Sequence, residues 1–218
     1  ELYLDGRVKS LLQESRVRLQ SFSSRSSRAS FLEDLRAALA AAADLGFARD
    51  DGAGAALKSL SRALEANVPL EASDALTESV QSLARGALRQ RYCNNVASLL
   101  EASGVRLSAR RRSSALLNGA TLATPTGPVG APPSTFTLPL GIPNNLGGAG
   151  CLDYAVTQYS VTPYRPAEAQ PQLLLTPTSD LSFSSGDGNE VSVGGLEQPI
   201  RITLAKSLAA ELEAQSLP

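Results

Sequence analysis

LSFSSGDGNEVSVGGLEQPIRITL, residues 181–204, is the stretch whose reading decides the fold. Leu181 and Phe183 alternate with Ser182 and Ser184, the two-residue period of a half-buried strand. Gly186-Asp187-Gly188-Asn189 follows, and Gly and Asn tolerate positive φ, so a hairpin turn is expected there. Val191 and Val193 resume the alternation on the way back. A Gly194-Gly195 break leads to a third strand, with Pro199 at its start and Ile200, Ile202 and Leu204 on one face. Proline at a strand's first residue leaves the ladder intact. Three short strands need a partner sheet over their apolar face. Residues 104–204 are expected to supply that sheet, with a helical first half packed against it.

Upstream of this stretch, Cys151–Val161 is the clearest strand. Ala155, Thr157, Tyr159 and Val161 face one way, and Leu152, Tyr154 and Val156 the other. Both faces are partly apolar, which suits a central strand covered on both sides. Leu173–Leu175, Thr135–Leu140 (Phe136, Leu138 and Leu140 on one face) and Leu116–Leu122 read as further short strands. Pro125–Pro133 and Gly141–Gly150 read as loops. Val105, Leu107 and Ala109 alternate with Arg106, Ser108 and Arg110. The run Arg110-Arg111-Arg112 fits an anion site, a protease site or, as the preferred reading, the charged protection of an edge strand. Six or seven such strands with turn signals between them predict an antiparallel sandwich.

The first half carries the helical period instead. Leu4, Val8, Leu11, Leu12 and Leu19 lie at roughly helical spacing over 2–20, and a Ser/Arg linker follows at 21–30. Ser30 with Glu33 makes a capping box, and Leu32, Leu35, Ala38, Leu39 and Ala42 form a buried stripe ending near Gly46. Asp50-Asp51-Gly52 opens the next helix, with Leu57, Leu60 and Leu64 as its stripe and Asn67 and Pro69 at its end. The longest helix is expected from about 70 to 103, with Leu76, Val80, Leu83, Ala87, Tyr92, Val96, Leu99 and Leu100 inward, and Gly104 closing it. Its other face carries Glu78, Arg85, Arg89 and Arg91, expected to be wet. The predicted fold class is α+β, an N-terminal helical bundle (1–103) followed by an antiparallel β-sandwich (104–204), with a short helix or linker at 205–218.

Composition narrows the function. Hydrophobic residues make up 43% of 218, enough for a core, yet aromatics are 5% and Trp is absent, so that core must be Leu, Val and Ala. The net charge of −1 argues against a general nucleic-acid or anionic-membrane binder. There is no His, which removes the commonest general base and metal ligand. There is no Met, and the chain opens on Glu1, so a segment of a larger protein is expected. No apolar run is long enough to span a bilayer.

No constellation of catalytic residues is visible, and no catalytic, cofactor-binding or metal-ligating residue is assigned. Gly147-Gly148-Ala149-Gly150 lacks the lysine of a phosphate loop and precedes a strand. Asp153 and Glu190 read as lone carboxylates. Asp187-Gly188-Asn189 resembles part of a calcium loop without its distal ligand, and turn chemistry accounts for it. Cys93 and Cys151 are the only cysteines. They are candidates for a disulfide tying the helical half to the β half in an oxidising compartment, with two buried free thiols as the alternative.

The order of elements and the closing strands resemble the GAIN domain, a helical-plus-β-sandwich juxtamembrane module of adhesion G-protein-coupled receptors and polycystin receptors. The likeness is closest over 172–204, in the Leu-x-Phe strand, the Gly-Asp-Gly-Asn-Glu turn, Val-x-Val and Leu-Glu-Gln-Pro-Ile-Arg-Ile-Thr-Leu. Cys151–Tyr164, ending Thr-Pro-Tyr, is similar to the family strand before it. The family's Cys/Trp-rich proteolysis tail, ending His-Leu before Ser or Thr, has no counterpart here, since Trp and His are absent. The resemblance implies a non-enzymatic structural or mechanical module of a polycystin-type membrane protein, on the extracellular face of the plasma or ciliary membrane. It would hold a downstream strand or partner and relay force or ligand binding. Its implied partners are the rest of the parent chain and a channel subunit or other surface protein, with no cofactor, no nucleic acid, and membrane reached only through parent segments. The alternative is an extracellular adhesion module of a matrix or surface-appendage protein, binding carbohydrate or protein through the loops at 125–133 and 141–150.

Overall fold

Leucines at helical spacing do go inside. Leu32, Leu35 and Leu39 are buried in a helix, α1, described at residues 32–37 and 39–40. The structure, a computed structural model, describes residues 32–37, 39–40, 50–65, 73–89, 91–126, 133–142, 150–160, 163 and 177–204. The expectations over 2–20, 21–30, 173–175 and 205–218, and the caps at Ser30, Gly46, Asn67 and Pro69, lie outside these residues.

Helix α2 (Asp50–Glu65) starts at the acidic pair, and α3 runs over Ser73–Leu88. Ala53, Ala56, Leu57, Leu60, Ala63 and Leu64 form the buried stripe of α2, and Ala75, Leu76, Val80, Leu83, Ala84 and Leu88 that of α3. Both stripes follow the three- and four-residue steps of a helix face. Buried serines interrupt them without leaving donors stranded. Ser59 Oγ donates to the Ala55 carbonyl at 3.2 Å, and Ser79 Oγ to the Ala75 carbonyl at 2.6 Å.

The single helix expected from about 70 to 103 does not form. α3 stops at Leu88, and Ser98–Glu101 is strand β1. Tyr92, Val96 and Leu99, placed inside by periodicity, are 84%, 76% and 60% exposed. Asn94 takes φ +63°, in the left-handed region that asparagine enters most readily among non-glycine residues. Its amide N donates to the Arg111 carbonyl at 2.9 Å, and its Oδ1 accepts from Ser113 N at 2.9 Å. Cross-strand partners therefore replace helical ones. Gly104 closes no helix; it lies in the turn between β1 and β2, where its N–H donates to Ser61 Oγ of α2 at 2.6 Å. The sheet thus begins ahead of Gly104.

Strands β1, β2 (Val105–Ser113), β5 (Cys151–Tyr159) and β6 (Thr178–Ser185) form a four-stranded antiparallel sheet in the order β1-β2-β5-β6. Strands β3 (Thr121–Ala123), β4 (Thr135–Thr137) and β7 (Arg201–Thr203) form a second antiparallel sheet in the order β3-β4-β7. The expected strand over 116–122 survives only at its end as β3; Ser114–Leu117 is a 3-10 turn. As the two-sided apolar pattern predicts, β5 lies inside its sheet, between β2 and β6. Ala155 and Tyr159 on one face share an apolar cluster with Val105, Leu107, Ala109 and the helix leucines. Leu152, Tyr154 and Val156 on the other share a cluster with Phe183 and with Leu122, Phe136 and Leu138 around the second sheet.

The opening stretch folds partly as its pattern predicts. The turn forms: Gly188 takes φ +90° and donates to the Ser185 carbonyl at 2.8 Å, and Ser185 N donates to the Asn189 carbonyl at 2.9 Å. The return strand is reduced to one bridge, Ser184 to Glu190, and one further bond from Val191 N to the Phe183 carbonyl. Gly194 and Gly195, the latter at φ +65°, release the chain, which crosses to pair β7 with β4. The three strands therefore belong to two sheets. Ile202 and Leu204 do not enter a core; they are 55% and 47% exposed. Leu140 also leaves its expected face at 72% exposure, because β4 ends at Thr137 and Gly141 turns at φ +83°.

Candidate functional site

Alternation along β2 and β5 builds the site. Val105, Leu107 and Ala109 point toward the helices, and the next residue of that face is Arg111. On β5 the same face runs Tyr159, Thr157, Ala155, then Asp153. The antiparallel register sets Arg111 opposite Asp153. The apolar layer under α3 thus ends in a bidentate ion pair, Nε to Oδ1 at 2.7 Å and Nη2 to Oδ2 at 2.8 Å. The two side chains are 15% and 4% exposed.

Arg111 binds more than its partner. Nη1 donates to the Arg91 carbonyl at 3.0 Å and Nη2 to the Gly186 carbonyl at 3.1 Å. One guanidinium therefore joins β2, β5, the segment after α3 and the turn after β6. The Asp153 carboxylate, through its hydrogen bonds, holds Arg111 above the ordinary arginine pKa, against the opposing effect of burial.

Of the two arrangements open to the cysteines, the structure has the bridge. Cys93 and Cys151 form a disulfide with Cα atoms 5.8 Å apart. Cys151 stands opposite Ser113 at the same end of the sheet. The helices are tied at other points as well. Ser73 Oγ at the start of α3 donates to the Pro163 carbonyl at 2.5 Å, and Arg85 Nη1 reaches the Gly188 carbonyl at 3.4 Å. Arg85 is therefore not simply a wet surface residue. Between α3 and the β5–β6 pair, bordered by Ala84, Leu88, Asp153 and Ser184, lies a cavity of about 40 Å³. That is space on the scale of a few waters.

Asp153, read from sequence as a lone carboxylate, is committed to Arg111. Asp187 accepts from Ser185 Oγ, and from Asn189 Nδ2 at 2.8 Å. Those bonds, Ser185 first, set its pKa below the ordinary carboxylate value, as turn chemistry requires. Asp180 is pushed up by burial and secondarily by the charge of Glu190. Among the described residues no three His, Cys, Asp or Glu side chains gather as a metal site.

The arginine triplet is corrected too. β2 lies between β1 and β5, so its charges guard no edge. The Arg111–Asp153 pair escaped sequence reading because 42 residues separate the partners. The available signal was an acid inside the apolar run Leu152-Asp153-Tyr154-Ala155. The loops expected to bind ligands fall largely outside the described residues, at 127–132 and 143–149. No protein-family model matches the chain, and no curated protein matches it.

Proposed function

We propose that the chain is a non-enzymatic holding module of GAIN type, an N-terminal helical bundle followed by an antiparallel β-sandwich, within the ectodomain of a larger polycystin-type membrane protein. The helical part is taken to end after α3, because β1 belongs to the sheet. The module keeps a downstream strand or partner seated and passes tension or ligand binding toward the membrane, at the extracellular face of the plasma or ciliary membrane.

The observation that carries this reading is the clasp. Arg111 and the Cys93–Cys151 bridge fasten the segment after α3 to β2 and β5, and Arg111 adds the turn after β6. A disulfide fits an oxidising compartment. Support for a seated strand comes from β7, which pairs only with β4 among the described strands and presents exposed Ile202 and Leu204. An edge of this kind accepts a further strand through its ladder. The test is to express the chain together with the residues that follow it in the parent. Amide protection at Arg201–Thr203 should rise when they are present. Unchanged exchange at β7 would refute the seated strand.

A further inference from the structure

Arg111 is spent on Asp153, but its neighbours face the other way. Arg106, Arg110 and Arg112 occupy alternate positions of β2 and share the sheet face turned from the helices, opposite Gln158, Tyr154 and Leu152. The first lies six residue steps from the last, about 20 Å at roughly 3.4 Å per residue. Among the described residues none of the three is paired with a carboxylate. Arg106 makes no described side-chain bond, Arg110 Nε donates to the Asn95 carbonyl at 2.8 Å, and Arg112 Nε is buried without an acceptor among the described residues. Arg36 and Arg111, in contrast, are paired with acids. Among the described strand residues the one carboxylate on this face of the four-stranded sheet is Glu101, opposite Arg106, and no ion pair is found between them. The second sheet's cluster takes in Leu152, Tyr154 and Val156 of β5, while on the β1–β2 side of the face Leu99 is 60% exposed and Arg106, Arg110 and Arg112 are half-buried, so among the described residues this side reaches solvent.

We infer that Arg106, Arg110 and Arg112 form a binding row for a linear sulfated polysaccharide. A row of unpaired guanidiniums matches sulfate groups repeated along a chain, which they bind through charge-assisted, often bidentate hydrogen bonds. Two observations favour polysaccharide over nucleic acid. The disulfide fits a compartment outside the cytosol. Tyr154 and Phe183, the aromatic residues on this face of the four-stranded sheet, are 8% and 3% exposed and offer no plane for base stacking. The surface is separate from the β7 edge, so this inference stands apart from the seated-strand reading.

The test uses the oxidised 218-residue chain with a heparin oligosaccharide of defined length as probe, and with hyaluronan and single-stranded DNA of similar length as comparators. Heparin should bind most tightly and weaken steeply with salt. The triple variant Arg106→Ser, Arg110→Ser, Arg112→Ser should bind about tenfold or more weakly, as expected when several ion-releasing contacts are lost. Lys58→Ser with Arg62→Ser, on the exposed side of α2, should leave binding unchanged. Should the triple variant fail to fold, Arg106→Glu decides alone, because Arg106 holds no structural bond. Equal heparin affinity in wild type and the variant that decides, or tighter binding of DNA than of heparin, overturns the inference.

Discussion

Replacing Arg111 by alanine should be among the most damaging changes available. Its partner Asp153 has a side chain 4% exposed, and both of its described hydrogen bonds come from Arg111. Removing one member of a buried pair leaves an uncompensated charge, at a cost of about 3–5 kcal/mol. The Arg91 and Gly186 carbonyls lose a donor in the same step. Asp153→Ala should cost less, about 2–3 kcal/mol, since Arg111 keeps those carbonyls and is 15% exposed. The double replacement Arg111→Met with Asp153→Leu should cost less than either single change, because no charge is left to desolvate. Urea unfolding of the oxidised chain at neutral pH measures all three through the midpoint at constant m. Because the pair is largely shielded from solvent, the differences should persist in high salt. An Arg111→Ala cost below about 1 kcal/mol, or a double variant worse than both singles, would refute the reasoning.

Four further outcomes follow from the geometry. Opening the Cys93–Cys151 bridge, which spans 58 residues, should lower stability by about 4 kcal/mol by loop-closure entropy, read as the gap between thermal melts with and without reductant. Asp180 has its folded pKa raised above 3.8 by burial, so its charged form is disfavoured in the fold. That penalty is absent well below pH 3.8 and is present in full above the folded value. Asp180→Asn should therefore stabilise the protein at pH 7 and have little effect at pH 3, in matched urea titrations. Val96→Ser should change stability by less than about 0.5 kcal/mol, as suits a residue 76% exposed. Leu83→Ala, at a position 0% exposed on α3, should cost about 2–5 kcal/mol in the same assay.

Much of this architecture was legible in residue periods. Leu57, Leu60 and Leu64 announced α2, and the two-faced apolar pattern of Cys151–Tyr159 announced an interior strand. Failure came where one period imitates another. Tyr92, Val96 and Leu99 extend a helical stripe on paper, yet a left-handed Asn94 and the cross-strand bonds at Arg111 and Ser113 decide the conformation. Local pattern also cannot say which sheet a strand joins. Ile200–Leu204 looked continuous with the hairpin, but two glycines let it pair with β4. The disulfide was readable from cysteine arithmetic. The ion pair was not, since it depends on the β2–β5 register. The same register separates the arginine triplet into one structural residue and two that face away.

The central claim is that the helices and the four-stranded sheet open together as one clasped unit. Native-state hydrogen exchange on the oxidised chain tests it most directly. Amides in the middle of α3 (Ser73–Leu88) and of β5 (Cys151–Tyr159) should exchange with the same free energy of opening. Both values should fall together in Arg111→Ala. Free exchange of α3 while β5 stays protected would contradict the account.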